Sequence, residues 1–262
     1  MYPILVGEGV WALPSYFTLV MLGFFVCGIL LRREFMRVGW DAVRAIDMVF
    51  ALVVASLIGA RLAHVLFDGY LSDYIYLCLD PSQLADLLPN GQACQSSNEC
   101  IAAQNMGYNI GGICTDGHCV PERDCFRSLM FWSGGLTYYG GLILACVTAF
   151  FLCRRWKLPF LSFSDLTAPL VALGLAFGRL GCFLAGCCFG KTTDMPWGLR
   201  FPEMSDAFKH HRDLYPDALS AQFSETGIWA SLPVHPTQLY ECFGALALFA
   251  FLWFYRRKRI AF

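Results

Sequence analysis

Two arginines of this sequence, Arg61 and Arg179, lie inside long apolar segments, where a charge is costly. Each is about one to two helical turns from the outer end of its segment, at the depth of lipid phosphates, which a guanidinium binds through paired hydrogen bonds. The pattern predicts that both arginines bind an anionic phospholipid. The open alternative is a structural role, with the guanidinium bonded to backbone carbonyls or to an aspartate.

A polar stripe enters the last apolar segment between residues 235 and 241. Pro236 fits the first position of a helix, so His235, Gln238 and either Glu241 or Cys242 share one helix face. A carboxylate in this position needs a cationic or hydrogen-bonding partner, and Arg179 and Arg61 are the two candidates for Glu241. A polar stripe that enters an otherwise apolar helix indicates a water-filled cavity beside it.

Three thiols follow Arg179 in a glycine-rich stretch, at Cys182, Cys187 and Cys188. A thiol beside an arginine can have a lowered pKa, which makes Cys187 a candidate nucleophile. The alternative is that these cysteines are small apolar packing residues. No metal or cofactor is predicted.

Six further cysteines lie in one segment that is rich in Gly, Asn, Ser and Asp. They are Cys78, Cys94, Cys100, Cys114, Cys119 and Cys125. A segment with so little apolar core, in an oxidising compartment, is typical of three disulfides, and the sequence does not choose among their pairings. A zinc site is the competing interpretation, but only His118 is nearby and the spacings are not paired CxxC.

The composition explains where these residues reside. Of 262 residues, 57% are hydrophobic and 15% are charged, the net charge is −1, and the mean hydropathy is +0.52. A soluble domain carries about 25% charged residues, so the composition excludes a soluble enzyme, a disordered chain and a nucleic-acid binder. Helices that cross a bilayer need about 20 apolar residues. Five segments qualify: Trp11–Leu31, Met48–Phe67, Ser128–Cys153, Leu166–Gly190 and Pro236–Tyr255.

The basic residues predict the orientation of these spans. Eleven of the 19 Lys and Arg lie in three short segments, after the first, third and fifth spans, whereas the two long loops hold six beside 14 acidic residues. Short basic loops stay in the cytoplasm, so we expect the N-terminus outside and the C-terminus inside. Because no Lys or Arg precedes the first span, we expect it to remain as a membrane helix rather than to be cleaved as a signal peptide.

The first four spans resemble two copies of one helical hairpin. Tyr16 and Tyr138 each precede an Arg-Arg pair by sixteen residues, and Asp47 and Asp165 precede Arg61 and Arg179 by fourteen. Coincidence within apolar sequence is the alternative. The predicted fold is an all-α integral membrane protein with about five transmembrane helices, a duplicated hairpin and a small disulfide-rich exoplasmic loop domain. The predicted divisions are a first hairpin (1–75), a cysteine-rich insert (76–127), a second hairpin (128–190), an exoplasmic head loop (191–234) and a fifth helix with a basic tail (235–262).

Three motifs resemble those of the prolipoprotein diacylglyceryl transferase family. They are Gly134-Gly135-Leu136-Thr137-Tyr138-Tyr139-Gly140-Gly141-Leu142, Gly178-Arg179-Leu180-Gly181-Cys182-Phe183 and His235-Pro236-Thr237-Gln238-Leu239-Tyr240-Glu241. Tyr16 and the Gly59-Ala60-Arg61-Leu62 stretch also fit the family's first hairpin. The sequence departs from the family at three positions, with Tyr139 for a histidine, Cys182 for an asparagine and Cys187 for a glutamate.

The resemblance implies transfer of diacylglycerol from phosphatidylglycerol to the lipobox cysteine of a lipoprotein precursor, in the bacterial cytoplasmic membrane. It implies that Arg179 holds the lipid headgroup. The other residues expected in the phospholipid site are Arg61, Tyr16, Gly140, Gly141 and Gln238. Glu241, His235 or Tyr139 is expected to assist the deprotonation of the acceptor thiol. The expected partners are phosphatidylglycerol or another anionic phospholipid and lipoprotein signal peptides, without nucleic acid. Two other functions stay open: a non-catalytic membrane protein that binds lipids or partners, and a membrane thiol–disulfide oxidoreductase.

Overall fold

The fold is built from helices joined by short strands and turns. A computed structural model of the chain describes residues 4–6, 13–84, 94–97, 112–130, 136–203 and 205–260. Its α-helices are α1 (Ser15–Arg37), α2 (Ala42–Phe67), α3 (Leu71–Leu79), α4 (Tyr138–Arg155), α5 (Phe160–Ala185), α6 (Asp206–Leu214), α7 (Pro216–Thr226) and α8 (Thr237–Ile260). Two antiparallel strand pairs join β1 (Ile4–Val6) to β2 (Leu13–Pro14) and β3 (Gly112–Thr115) to β4 (His118–Pro121).

Four of the described helices, α1, α2, α5 and α8, are long and apolar enough to cross a membrane. Large apolar side chains are exposed along them, as expected of faces that contact lipid, for example Phe25, Phe50 and Phe251. The chain is therefore an all-α membrane protein, as the composition predicts.

The third span was predicted to begin at Ser128, and this start is wrong. Residues 127–129 form a single 3-10 turn, and α4 begins only at Tyr138 and ends at Arg155. Its 18 residues rise about 27 Å, and two tyrosines, two glycines and two arginines lower its hydropathy. The predicted fourth span also ends too late, because Gly186 adopts a left-handed conformation (φ +75°) that terminates α5.

Two compact units make up the chain: residues 1–46 with 158–262, and residues 47–157. In the first unit, α5 packs against both α1 and α8. Close approach of α1 and α5 depends on small residues, since a Cβ on Gly23 would lie 2.8 Å from Cβ of Phe177. The five-part division derived from the sequence stays a prediction.

In the second unit, α2 and α4 touch backbone to backbone. A Cβ on Gly140 would collide with the carbonyl oxygen of Gly59 and with Ala63, and a Cβ on Gly141 would lie 2.9 Å from the Ser56 carbonyl oxygen. The amide of Thr137 extends the contact by donating to the Ala60 carbonyl, at 3.1 Å. These glycines are therefore packing residues in the structure.

Substitution of Gly140 by leucine is expected to separate α2 from α4 and to lower the thermal stability of the protein in detergent. The added side chain meets backbone, which cannot move aside. The loss of stability should therefore be at least as large as that caused by overpacking a core, which is about 1–3 kcal/mol. Gly244→Leu is the matched control, because a Cβ there meets nothing within 4 Å. Equal melting temperatures for the two variants in a fluorescence melt would contradict the helix contact.

The cysteine-rich segment contains disulfides, as predicted. Cys78 is bonded to Cys125 and Cys94 to Cys114, and Cys119 is also disulfide-bonded. Cys100 lies outside the described residues. Strands β3 and β4 are joined by Asp116 and Gly117, both with positive φ, which is the conformation of the two-residue hairpin turns that favour Asp-Gly.

Helices α2 and α5 have the same length and the same internal register. Both have 26 residues, with an aspartate at the sixth position and an arginine at the twentieth, since α2 begins at Ala42 and α5 at Phe160. This shared register supports the predicted duplication of the hairpin. It also shows that Asp47 and Asp165 lie inside their helices rather than at the first turn.

The segment between α5 and α8 forms a small head around three buried residues, Phe201, Ala207 and Val234. Leu199 and Val234 exchange backbone hydrogen bonds of 3.0 Å. His211 is buried beneath them, and its Nδ1 accepts a hydrogen bond from the Leu232 amide at 3.2 Å. The pKa of His211 is lowered by its burial and by the neighbouring His210.

The head is expected to loosen in mild acid because of His211. A folded-state pKa below the unfolded value of about 6.5 means that the unfolded chain binds more protons, so stability is complete above that pH and falls as the pH drops through it. Hydrogen exchange at the Leu232 amide, corrected for the intrinsic rate, should accelerate below this pH. His211→Asn should abolish the acceleration, whereas the exposed His210→Gln should retain it; acceleration in both variants would exclude His211 as the cause.

Candidate functional site

The two charges predicted to pair within the bundle meet at one end of the first unit. Nη2 of Arg179, on α5, lies 2.7 Å from Oε2 of Glu241, on α8. Their side chains are 29% and 46% exposed, so the pair lies on the surface of the bundle rather than in its core. Of the two arginines that the sequence offered to Glu241, the structure selects Arg179.

Tyr16 lies over the same end of α5. A Cβ on Gly181 would lie 3.1 Å from Cδ2 of the Tyr16 ring and 3.3 Å from its Cα. The glycine two residues after Arg179 therefore lets the start of α1 come into contact with α5. This contact brings Tyr16 to the end of α5 that carries Arg179, and a role for Tyr16 in binding phospholipid stays a prediction.

Gln238 is fully buried where α8 begins. Its Nε2 donates to the Cys187 carbonyl at 2.6 Å, and the hydroxyl of Thr237 donates to the Cys188 carbonyl at 3.0 Å. The amide oxygen of Gln238 has no hydrogen-bond partner among the described residues. The first turn of α8 thus holds the backbone that follows α5, a role for Gln238 that the sequence did not reveal.

His235 precedes this turn and also holds the backbone after α5. Its carbonyl accepts from the Gly190 amide and its amide donates to the Lys191 carbonyl, both at 3.0 Å. The imidazole Nδ1 lies 3.3 Å from the hydroxyl of Tyr240. An imidazole bonded to a phenol can pass a proton, so the structure is compatible with the predicted role in thiol deprotonation, which stays a prediction.

The three thiols of this region come together. The Sγ atoms of Cys182, Cys187 and Cys188 all lie within 4.8 Å of one another. The pKa of Cys187 lies above its usual range, because of its hydrogen bond with Cys182 and its burial, and burial also raises the pKa of Cys188. These shifts disfavour the thiolate form of both residues in this arrangement, and the nucleophilic role of Cys187 stays a prediction.

Arg61, Tyr139, Gly140 and Gly141 belong to the second unit. Arg61 is buried and donates to the carbonyls of Ser128 (2.7 Å) and Arg127 (2.6 Å), and its guanidinium lies 5.3 Å from the centre of the Tyr74 ring. This is the structural alternative left open by the sequence, and a phospholipid role for Arg61, Gly140 and Gly141 stays a prediction. Tyr139 is 71% exposed at the start of α4, and its catalytic role is likewise untested.

The sequence of this chain is similar to those of known proteins. A family model described as prolipoprotein diacylglyceryl transferase matches residues 3–95 and 117–262, which excludes only the middle of the cysteine-rich segment. The chain belongs to the prolipoprotein diacylglyceryl transferase family. The match includes both Arg179 and Glu241, whose side chains the structure brings together.

Individual relatives carry the name phosphatidylglycerol–prolipoprotein diacylglyceryl transferase. The protein from Legionella pneumophila (strain Corby) is 38% identical over 129 residues, which cover 48% of this chain and 40% of that protein. The proteins from Bordetella parapertussis (38% over 128 residues) and Nitrosomonas europaea (37% over 131 residues) are similar in extent. The chain spans about 40% of the length of these relatives.

The described geometry can hold an anion. Arg179 offers a guanidinium that Glu241 orients, and Tyr16 contacts the same end of α5. An anion bound here would replace or share Glu241 as the partner of Arg179 through charge-assisted hydrogen bonds.

Proposed function

We propose that this protein transfers a diacylglyceryl group from phosphatidylglycerol to the cysteine thiol of a lipoprotein precursor. The observation that carries the proposal is the Arg179–Glu241 pair, at the end of α5 that Tyr16 also contacts. Membership in the prolipoprotein diacylglyceryl transferase family supports the reaction, and the names of the relatives indicate both substrates.

In the proposed reaction, Arg179 binds the phosphodiester of phosphatidylglycerol. The acceptor sulfur attacks the glyceryl carbon that carries the phosphate ester, a C–S bond forms, and the C–O bond breaks so that glycerol phosphate leaves with the electron pair. A bound guanidinium stabilises the negative charge on that leaving group. The proton lost by the thiol passes to a base, for which Glu241 and His235 are the candidates in the same unit as Arg179.

The direct test is turnover in a defined bilayer. The purified protein is incubated in phosphatidylglycerol vesicles with a lipobox peptide, and peptide-linked diacylglycerol is measured by mass spectrometry. A peptide with serine in place of the lipobox cysteine, and vesicles of phosphatidylcholine alone, are the controls. Failure to modify the cysteine peptide under conditions in which the protein is folded would refute the proposal.

For this function, the site must face the outer side of the membrane, because the lipoprotein precursors are secreted proteins. The charge distribution of the loops supports an N-terminus outside and a C-terminus inside the bacterial cytoplasmic membrane. Single cysteines introduced into residues 154–163 should resist a membrane-impermeant maleimide in intact cells, and should react once the cells are opened. Labelling of that segment from outside would reverse the predicted orientation.

A further inference from the structure

The end of α5 folds three cysteines onto one another. The amides of Cys187 and Gly186 donate to the carbonyls of Cys182 (3.1 Å) and Phe183 (3.3 Å), which is the hydrogen-bond pattern of a Schellman turn. This turn reverses the chain, so that cysteines five and six residues after Cys182 return to it, with all three Sγ atoms within 4.8 Å. Cys188 itself has a positive φ of 56°, a conformation that costs energy in a residue other than glycine.

The turn is fixed from outside as well. Gln238 and Thr237 of α8 hold the carbonyls of Cys187 and Cys188, and the Gly186 carbonyl accepts from the Ala207 amide at 3.1 Å. A Cβ on Gly186 would lie 2.6 Å from Cβ of Ser205, so the head packs closely on the turn. The thiols therefore project from a backbone that is held on two sides, which is the preorganisation that a metal site needs.

The donor set selects the type of ion. Thiolates are soft ligands that prefer Zn²⁺ to Mg²⁺ or Ca²⁺, and zinc–sulfur bonds of about 2.3 Å place tetrahedral ligands roughly 3.8 Å apart, a spacing that these sulfurs reach by small rotations. Three thiolates and one Zn²⁺ carry a net charge of −1, and Arg179 lies within electrostatic range of Cys182 and Cys188 to offset it. Burial decreases from Cys182, which is buried, to Cys188, which is exposed, so one side of the cluster is open.

We propose that Cys182, Cys187 and Cys188 form a three-thiolate Zn²⁺ site whose fourth position takes the acceptor thiol. No metal was predicted from the sequence, in which Cys182 is separated by five and six residues from Cys187 and Cys188; the turn brings the three together. Three protein ligands with an open position are typical of catalytic rather than structural zinc.

The role of the open position rests on the proposed function. Coordination would lower the pKa of the acceptor thiol, so that its proton passes to the base of the proposed function at neutral pH and leaves a metal-bound thiolate. That sulfur then attacks the glyceryl carbon, the C–S bond forms, and glycerol phosphate leaves with the electrons of the C–O bond. The three cysteines remain on the metal, and the step consumes no oxidant or reductant.

Metal binding is tested on the full-length protein in detergent. After incubation with ZnCl₂ and gel filtration, we expect one zinc per chain, and with Co²⁺ a thiolate-to-metal charge-transfer band. Serine substitutions of Cys182, Cys187 and Cys188, one at a time, should lower the affinity by more than the roughly 10–100-fold that loss of an outer-shell partner costs. Cys146→Ser, at an exposed free cysteine of α4, is the matched control and should retain the metal.

Three results would overturn the site. They are absence of zinc and cobalt binding by the fully reduced protein, a disulfide between any two of the three cysteines in the protein as isolated, and equal metal loss in Cys146→Ser. Cys182 is buried, so its serine variant could lose zinc simply by misfolding. Cys188→Ser distinguishes the two causes, because the Cys188 thiol is exposed. This variant should bind zinc more weakly than the unmodified protein while its gel-filtration profile is unchanged.

The acceptor role is tested on the cobalt-loaded protein. A lipobox peptide should shift the absorption bands, the serine peptide should not, and removal of zinc should suppress transfer in a way that added zinc reverses. Undiminished transfer by metal-free protein would overturn the role and leave the proposed function intact. A band shift without any transfer by the zinc-loaded protein would support the site and count against the proposed function instead.

Discussion

Arg179→Ala is expected to abolish both the copurification of phosphatidylglycerol and diacylglyceryl transfer, while the protein still inserts into the membrane. Hydrogen bonds to charged groups contribute about 1.5–3 kcal/mol each, so loss of a bidentate contact should weaken lipid binding roughly 100-fold or more. Arg179→Lys should restore part of the binding, because an ammonium keeps the charge but loses the paired donors. Lipid retained on the purified protein is measured by mass spectrometry.

The control for this variant is Arg212→Ala, which removes an exposed arginine paired with Asp213. It should change neither lipid retention nor transfer. Glu241→Gln separates binding from chemistry, because it leaves the guanidinium of Arg179 available to lipid but removes the carboxylate. We expect it to retain phosphatidylglycerol and to lose transfer. If Arg179→Ala prevents accumulation in the membrane, yet the surviving fraction retains lipid, the arginine is structural.

Glu34→Ala is expected to cause the largest loss of stability among single substitutions in the first unit. Glu34, near the end of α1, is 4% exposed, and its Oε2 lies 2.6 Å from Nη2 of Arg256 on α8. The remaining nitrogens of Arg256, Nε and Nη1, are buried without a partner in the described structure. Removal of the carboxylate leaves a buried guanidinium uncompensated, at a cost of about 3–5 kcal/mol.

The measurement is thermal or denaturant unfolding of the detergent-solubilised protein, with Asp41→Ala as the matched control. Asp41 pairs with Arg44 at 3.7 Å on an exposed surface, where such a pair contributes at most about 1 kcal/mol. Glu34→Gln should fall between the two, because an amide can still accept from Arg256 but brings no charge. A Glu34→Ala protein as stable as the Asp41→Ala protein would show that the buried pair does not hold α1 to α8.

Much of the bundle could be predicted because its signals are local. Runs of apolar residues identify four of the membrane-spanning helices, and a polar stripe identifies the start of α8. The helix limits were less predictable, since hydropathy detects the apolar part of a helix and not its ends. Thus α1 continues beyond Leu31 to Arg37, and α2 begins six residues before Met48.

The candidate site was predictable in its residue types but not in its pairings. A carboxylate within an apolar segment and two arginines in other apolar segments implied an ion pair, yet Arg61 and Arg179 have equivalent sequence contexts. In the structure the two guanidinium groups have different partners. Arg61 donates hydrogen bonds to the carbonyls of residues 127 and 128, whereas Arg179 forms an ion pair with Glu241. Which partner a charge finds depends on helix packing, which the spacing along one helix does not encode.

By itself, the sequence determined that this protein is a helical membrane protein with an oxidised cysteine-rich segment and with charges that need partners. Only the tertiary structure decided that Glu34 meets Arg256 across 222 residues, that Cys78 bonds to Cys125, and that three thiols converge at the end of α5. The physical reason is the range of the interactions. Hydropathy and helical period act over a few turns, whereas these contacts depend on which helices pack together and on a left-handed glycine that reverses the chain.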